Sequence, residues 1–155
     1  MTGWLLDTNI VSQLAPDKDG QPKAPKALSA WMLRNADTLY LSALSVVEIT
    51  AGIEKLRRAG GERRAADLDR WLDRILNIYA ERVLPLDAEV GKFAGVLTED
   101  ARANGRHPGL SDVLIAATAQ AHGHGLMTDN MRHFEPLRLS IPLLNPLQNE
   151  IPAGD

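Results

Sequence analysis

The sequence predicts an α/β fold with a central, mainly parallel β-sheet flanked by helices. Short apolar runs bounded by polar or turn-forming residues recur along the chain, as expected for buried strands. Segments with helical spacing of apolar residues separate these runs, and strands that alternate with helices favour a parallel sheet covered on both faces. The chain of 155 residues is 45% hydrophobic and 24% charged, which is the composition of one ordinary globular domain.

Five apolar runs have the length and the boundaries of buried strands. They are WLL at 4–6, LYL at 39–41, VLPL at 83–86, GLMT at 125–128 and LSIPLL at 139–144. The predicted helices between them begin with VSQL after Asp7 and continue at 25–36, 45–58, 66–80, 88–103 and 111–122. Gly105 and Gly123 lie where helices are expected to end. We therefore predict one domain over 1–147 and a flexible tail over 148–155, where turn formers and charges are frequent.

Composition excludes several classes of function. The chain has no cysteine, so disulfides and thiolate chemistry are excluded, and a metal ion would need oxygen or imidazole ligands. The net charge is -3 and the pI about 5.8, so nucleic-acid binding would require local basic patches. There is no signal-like N-terminus and no apolar run near the roughly 18 residues that cross a bilayer. We expect a cytoplasmic protein without membrane contact.

Four acidic residues stand apart from other charges. Asp7, Glu48 and Asp112 lie in apolar segments, and Asp129 follows the predicted strand that contains Leu126. Taken singly, each has an ordinary interpretation as a helix cap, a turn residue, a first-turn acid or a solvent-facing side chain. Because sites on parallel sheets lie at the carboxyl ends of the strands, we instead expect the four acids to meet at one edge.

A cluster of carboxylates has a defined chemistry. Mutual repulsion leads either to protonation with raised pKa values or to neutralisation by a cation. Oxygen ligands alone favour Mg²⁺ or Mn²⁺. Such an ion polarises a phosphate group and activates water, which is the chemistry of phosphodiester hydrolysis.

Several segments occur together and in a fixed order: LLDTNIVSQL, LSALSVVEITAGI, LSDVLIAATAQAHG, LMTDNMRHF and a closing LLNP. They resemble the signature segments of PIN-domain ribonucleases, specifically the VapC-type toxins of bacterial toxin-antitoxin pairs, over about residues 4–146. The resemblance implies a three-layer PIN-like domain that cleaves RNA with Mg²⁺ or Mn²⁺. It also implies a homodimer and a VapB-type antitoxin that blocks the site. The implied metal-binding and catalytic residues are Asp7, Glu48, Asp112 and Asp129, with Asn9 and Thr128 as polar residues around them.

Other residues offer further interpretations. Arg106 and Arg132 lie near Asp112 and Asp129 in sequence and are candidates for RNA contact. His122 and His124 form an H-x-H pair, but no cysteine or further histidine is spaced to complete a zinc site, and histidines near a helix end interact favourably with its dipole.

Two other functions stay open at this point: a catalytically weak PIN-like protein that binds a partner, and a phospho-acceptor regulatory domain. The second would need a lysine late in the chain, and none follows Lys92. A haloacid-dehalogenase phosphatase is disfavoured, because it would need an acid where Asn9 stands.

Overall fold

The structure is a computed structural model that describes residues 3–148 and 151–152. The strands in this part of the chain are β1 Trp4–Leu6, β2 Leu39–Ser42, β3 Val83–Leu84, β4 Gly125–Met127 and β5 Leu143–Leu144. The helices are α1 Thr8–Ser12, α2 Lys26–Arg34, α3 Ala43–Arg58, α4 Glu62–Tyr79, α5 Ala88–Ala103, α6 Leu110–Ala121 and α7 Met131–Phe134. Single 3-10 turns lie at Ala36–Thr38, Ala80–Arg82 and Glu135–Leu137.

The strands form one parallel sheet in the order β3-β2-β1-β4-β5. In the central strand, Leu5 pairs with Tyr40 of β2 on one side and with Leu126 of β4 on the other. The chain therefore adds β2 and β3 on one side of β1, and later adds β4 and β5 on the other side. In open α/β sheets, the crevice at the carboxyl ends beside such a switch point is the usual ligand site.

The core lies on both faces of the sheet, which makes the three layers. Leu6 and Leu41 pack with residues from α1 to α4 on one face. Leu5 and Leu126 pack with α5 and α6 on the other face. Neighbouring residues of a strand point to opposite faces, so both must be apolar when both faces are covered. The predicted three-layer α/β fold with a parallel sheet is thereby confirmed.

Prolines shorten two of the predicted strands. The strand expected over 83–86 ends at Leu84, since Pro85 cannot donate a ladder hydrogen bond. The strand expected over 139–144 is reduced to Leu143–Leu144, although the carbonyl of Pro142 still accepts from the amide of Leu126 at 2.9 Å.

Helix bounds also differ from the prediction, by one to four residues, and one helix is new. Helix α4 begins at Glu62 rather than at residue 66, because its first turn is mostly polar and shows no apolar period. Helix α7 was not predicted, because four residues are too few to show a helical period.

The structure describes part of the predicted C-terminal tail. Ile151 is half-buried and packs against the core on the α1–α4 face. Residues 149, 150 and 153–155 of the tail lie outside the described residues, and the flexibility of the tail stays a prediction. Among the described residues, no helix is both long and apolar enough to cross a membrane.

Candidate active site

Asp7 follows β1 directly and is the N-cap of α1. Its amide donates to the carbonyl of Met127 at 2.8 Å, which ties the end of β1 to the end of β4. Its side chain is only 6% exposed. Oδ1 accepts from the Thr8 amide at 2.8 Å, and Oδ2 accepts from Thr128 Oγ1 at 2.7 Å and from Asn9 Nδ2 at 3.1 Å. The predicted supporting roles of Asn9 and Thr128 correspond to these two direct contacts with Asp7.

Burial raises the pKa of Asp7 above its ordinary value, because desolvation disfavours the charged carboxylate. The hydrogen bonds from Thr128 and from the Thr8 amide oppose this effect by stabilising the charge. The carboxylates of Asp112 and Glu48 raise the pKa further by repulsion. Asp112 and Glu48 are therefore each near enough to act on Asp7 electrostatically.

Glu48 lies in α3 and is exposed to solvent. The Thr8 hydroxyl donates to Glu48 Oε1 at 2.7 Å and also contacts the Ser45 hydroxyl at 2.9 Å. Because Thr8 has one hydroxyl proton, Ser45 is the donor in the second contact. Sequence reasoning missed both residues. The signals available were the threonine between Asp7 and Asn9 and the serine three positions before Glu48, which falls on the same helix face.

Asp112 lies in the first turn of α6 and is half-buried. Its Oδ2 lies 3.1 Å from Nδ1 of His133, a residue of α7. Sequence reasoning also missed His133, which belongs to the segment LMTDNMRHF but was not distinguished from its neighbours. The short helix α7 is what places this histidine beside α6.

The three acids Asp7, Glu48 and Asp112 line one cavity of about 270 Å³. The rest of its lining is mainly polar: Thr8, Asn9, Ser12, Ser111, Ile115 and Asn130. These acids come from the first residue after β1, from α3 and from α6. The convergence expected from the sequence is therefore seen for three of the four acids.

Asp129 is placed differently. Its side chain is exposed and does not line the cavity. Its amide donates to Asn9 Oδ1 at 3.2 Å, and the next amide, of Asn130, donates to Thr128 Oγ1 at 3.0 Å. The loop after β4 is thus fastened to residues that hold Asp7, while the role of Asp129 as a metal ligand stays a prediction.

The two predicted RNA-contacting residues lie beside the acid cavity. Arg106 and Arg132 line a second cavity of about 440 Å³, and Asp112 belongs to the lining of both cavities.

The H-x-H pair, His122 and His124, lies away from both cavities, just before the amino end of β4. There the His124 ring stacks on Tyr40 with ring centres 4.0 Å apart, and His122 Nδ1 lies 2.9 Å from the Thr118 carbonyl oxygen.

The donor set of the acid cavity suits a hard cation. Asp7 Oδ1 accepts one hydrogen bond, and Asp112 Oδ1 accepts none from the described residues, so each has lone pairs left for a metal ion. Among the described residues, no three acids or histidines form a ready-made cage. Mg²⁺ does not need one, since it usually keeps several waters and binds through one or two carboxylates. The residues present fit such an ion.

A doubly covered parallel sheet with a buried carboxylate at its switch point, facing two further acids, defines an α/β protein with an acidic site. The chain belongs to the PIN-domain family, whose model matches residues 4–136. This confirms the resemblance found in the sequence, and it removes the phospho-acceptor domain from consideration.

Curated relatives and solved structures agree with this assignment. The chain is 34% identical to VapC ribonuclease Y4jK of Sinorhizobium fredii, over 92% of this chain and 96% of the relative. It is 28% identical to toxin FitB of Neisseria gonorrhoeae, with the same coverage. Its fold matches the crystal structure of FitAcB from Neisseria gonorrhoeae with a TM-score of 0.75 and 28% identity, over 94% of this chain and 99% of that one.

Proposed function

We propose that this chain is a Mg²⁺- or Mn²⁺-dependent endoribonuclease that acts as the toxin of a toxin-antitoxin pair. The observation that carries the proposal is the shared cavity of Asp7, Glu48 and Asp112, which come from three different elements. The proposal is supported by similarity along most of the chain to proteins named VapC ribonuclease and toxin FitB.

In this proposal Asp7, Glu48, Asp112 and Asp129 hold the metal ion, one or two of them directly and the others through its bound waters. When bound, the ion polarises the phosphodiester and lowers the pKa of attacking water. The protein's part is to keep the carboxylates oriented. The Thr8 amide and Thr128 orient Asp7, the Thr8 hydroxyl orients Glu48, and His133 contacts Asp112.

RNA cleavage by the purified protein tests the proposal. Cleavage should require Mg²⁺ or Mn²⁺ and stop in EDTA, because the site offers oxygen ligands. Asp7→Asn, Glu48→Gln and Asp112→Asn should each lower the rate about a hundredfold or more. Asp129→Asn should have a smaller effect, since its side chain lies outside the cavity.

Asp87→Asn is the matched control, because Asp87 caps α5, does not line the acid cavity, and asparagine also caps helices. Full activity in EDTA would contradict the metal dependence. An Asp112→Asn protein that cleaves at the normal rate would show that the site is assigned to the wrong residues. A wild type that cleaves no RNA with either metal would favour a PIN-like protein that only binds a partner.

We also propose a VapB-type antitoxin as partner, and a homodimer as the toxin's own state. A carboxylate cluster is a receptor for a guanidinium group, so the antitoxin should place an arginine among Asp7, Glu48 and Asp112. We expect the product of the adjacent gene to co-purify with the toxin and to inhibit it until that arginine is replaced by alanine. A toxin that is inactive with Mg²⁺ when purified alone would contradict this mode of inhibition, and light scattering of the same sample tests the dimer.

A further inference from the structure

A third cavity, which we name the distal cavity, lies between the loop after α1 and helix α4. Its volume is about 320 Å³, and its charged lining consists of Lys18, Arg64, Arg70 and Arg74 together with Asp17 and Asp67. This lining has two more positive than negative charges, although the whole chain has a net charge of -3. A local excess of positive charge is what the binding of a polyanion requires in such a chain.

Arg64 shapes the distal cavity by holding its loop in place. Its guanidinium group donates to the backbone carbonyls of Pro16 and Asp17, which fastens the loop to α4. Within the loop, Asp17 Oδ1 accepts from the amides of Gln21 at 3.0 Å and Asp19 at 2.8 Å, and these hydrogen bonds lower the pKa of Asp17. The loop wall of the cavity therefore has a defined conformation before any ligand binds.

Three cations of the distal cavity remain available to a ligand. Arg74 and Lys18 are exposed, and neither side chain has an ion pair or a hydrogen bond among the described residues. Arg70 pairs with Asp67, but 63% and 49% of these two side chains are exposed, so solvent weakens the pair. Arg70 and Arg74 lie on one face of α4, about 6 Å apart along the helix axis. Two guanidinium groups at this spacing can bind successive phosphates of one strand.

A middle cavity of about 210 Å³ connects the distal cavity with the acid cavity. It shares Thr8 and Glu48 with the acid cavity and extends to Ala15 and to the exposed Lys23. Ala15 is followed directly by Pro16, which lines the distal cavity. Among the described residues, the acid and distal cavities have no lining residue in common. A ligand that occupies both must therefore be a chain of several units.

We propose that the distal cavity binds the backbone phosphates of the RNA substrate, several nucleotides away from the phosphodiester that is cleaved. Lys18, Arg70 and Arg74 contact these phosphates. Because the carboxylates of the acid cavity repel a phosphate backbone, cations outside that cavity are needed to hold it. The inference rests on the proposed function, which places RNA in the acid cavity. It adds that the enzyme favours RNA long enough to reach α4.

Binding of RNA in EDTA tests the inference without any cleavage. Fluorescence anisotropy measures how tightly the full-length protein binds a labelled single-stranded RNA of about 16 nucleotides at several salt concentrations. Arg74→Ala and Lys18→Ala should each weaken binding about fivefold. Each should also reduce the slope of log affinity against log salt by about 0.7, as expected when a single strand loses one phosphate contact.

Arg102→Ala is the matched control, because it removes the same charge from an exposed arginine of α5. Helix α5 covers the opposite face of the sheet from α4, so this variant should leave both the affinity and the salt slope unchanged. If Arg74→Ala melts at a clearly lower temperature than the wild type, Arg74→Gln replaces it.

Cleavage with Mg²⁺ tests whether the bound RNA is the substrate. Arg74→Ala should lower kcat/KM for the long RNA about fivefold through a higher KM, because the lost contact lies away from the reacting phosphate. An RNA of about four nucleotides is too short to reach α4 from the acid cavity, and its kcat/KM should fall by less than about twofold.

The inference is overturned if Arg74→Ala and Lys18→Ala bind the long RNA like Arg102→Ala, or if both RNAs lose the same factor in kcat/KM. A nucleoside triphosphate that displaces the labelled RNA as well as unlabelled RNA does would assign the cavity to free phosphate compounds instead. Variants that release a co-purifying protein but retain RNA would assign it to an acidic protein segment. Metal-dependent cleavage with any of these results leaves the proposed function intact, whereas weakened RNA binding without cleavage under either metal contradicts the proposed function alone.

Discussion

Asp7 carries a carboxylate that is almost fully removed from solvent. A buried charge is costly unless hydrogen bonds or an opposite charge compensate for it. Three donors, from Thr8, Asn9 and Thr128, supply part of this compensation. Burial nevertheless keeps the pKa of Asp7 above its ordinary value. This incomplete compensation is what we expect where a cation completes the environment of the carboxylate.

Thr128→Val should raise the pKa of Asp7 further in the metal-free protein. Thr128 is fully buried and donates to Asp7 Oδ2, and a hydrogen bond to a charged group contributes about 1.5–3 kcal/mol. The expected result is a further rise in the pKa of Asp7, because the charged carboxylate loses a stabilising donor. Titration of the Asp7 carboxyl carbon by NMR in EDTA measures it. Thr118→Val is the control, because that buried hydroxyl donates to the Leu114 carbonyl of its own helix and to no other group among the described residues.

Thr128→Val should also change how the free energy of unfolding depends on pH. The folded-state pKa of Asp7 lies above its unfolded value near 3.8, so the folded protein binds more protons between these two values. Asp7 therefore lowers the stability of the metal-free protein as pH rises through that window. In Thr128→Val the decline should be larger and extend to higher pH than in Thr118→Val. Parallel pH profiles of the two variants would contradict the assignment.

Two of the three cavity acids lie on helices, Glu48 on α3 and Asp112 in the first turn of α6. Ser42 and Asp87 cap α3 and α5 through side-chain bonds to the amides of Leu44 and Val90. Helix α3 holds Glu48, whereas α5 packs against α6 and so supports Asp112 only through the core. Loss of the α5 cap should therefore affect stability more than chemistry.

Asp87→Ala should lower the free energy of unfolding by about 1 kcal/mol. In a domain of this size, that lowers the melting temperature by about 2–4 °C. The rate of RNA cleavage at a temperature well below the transition should not change, because α6 keeps its position. Asp87→Asn should retain the wild-type melting temperature, as asparagine can still accept from the Val90 amide. An alanine variant that melts like the wild type would show that this cap does not stabilise the fold.

At the scale of the whole molecule, the fold gathers carboxylates from distant parts of the chain around one cavity. Two carboxylates about 5 Å apart repel by about 3 kcal/mol at an effective dielectric constant near 20, and solvent at the exposed Glu48 weakens its share. A metal-free protein should therefore be less stable than one in which an acid is neutralised.

Asp112→Asn should melt at a higher temperature than the wild type in EDTA at neutral pH. Relief of up to about 1 kcal/mol corresponds to about 2–4 °C or less. Mn²⁺ should reverse the order, because only the wild type keeps every ligand and gains stability from binding. If Asp112 were merely a favourable acid at the start of α6, the variant would melt lower in EDTA. Equal Mn²⁺ shifts in both proteins would then accompany that result.

Local sequence patterns were sufficient to predict the fold class and to distinguish the four acids as candidates for a site. Runs such as WLL and GLMT are apolar at every position, because strands covered on both faces need apolar side chains on each. The acids were distinguishable because each is a single charge in or beside an apolar segment. Burying such a charge is costly unless it is paired, hydrogen-bonded or bound to a metal ion. These signals depend on neighbouring residues, and they therefore do not require knowledge of distant contacts.

Contacts between distant segments are set by tertiary packing and loop conformation, which no local period encodes. The bond from Thr8 to Glu48, the contact of Asp112 with His133 and the cavity around Arg106 and Arg132 all join separate elements. Asp129 is an example in which the local sequence pattern did not predict the position of the side chain. Its position after a strand matches that of Asp7, yet the loop turns its side chain to solvent while Asp7 is buried. The sequence thus indicated which acids are candidates for the site, and the packing of α3 and α6 around the end of β1 brings three of them to one cavity.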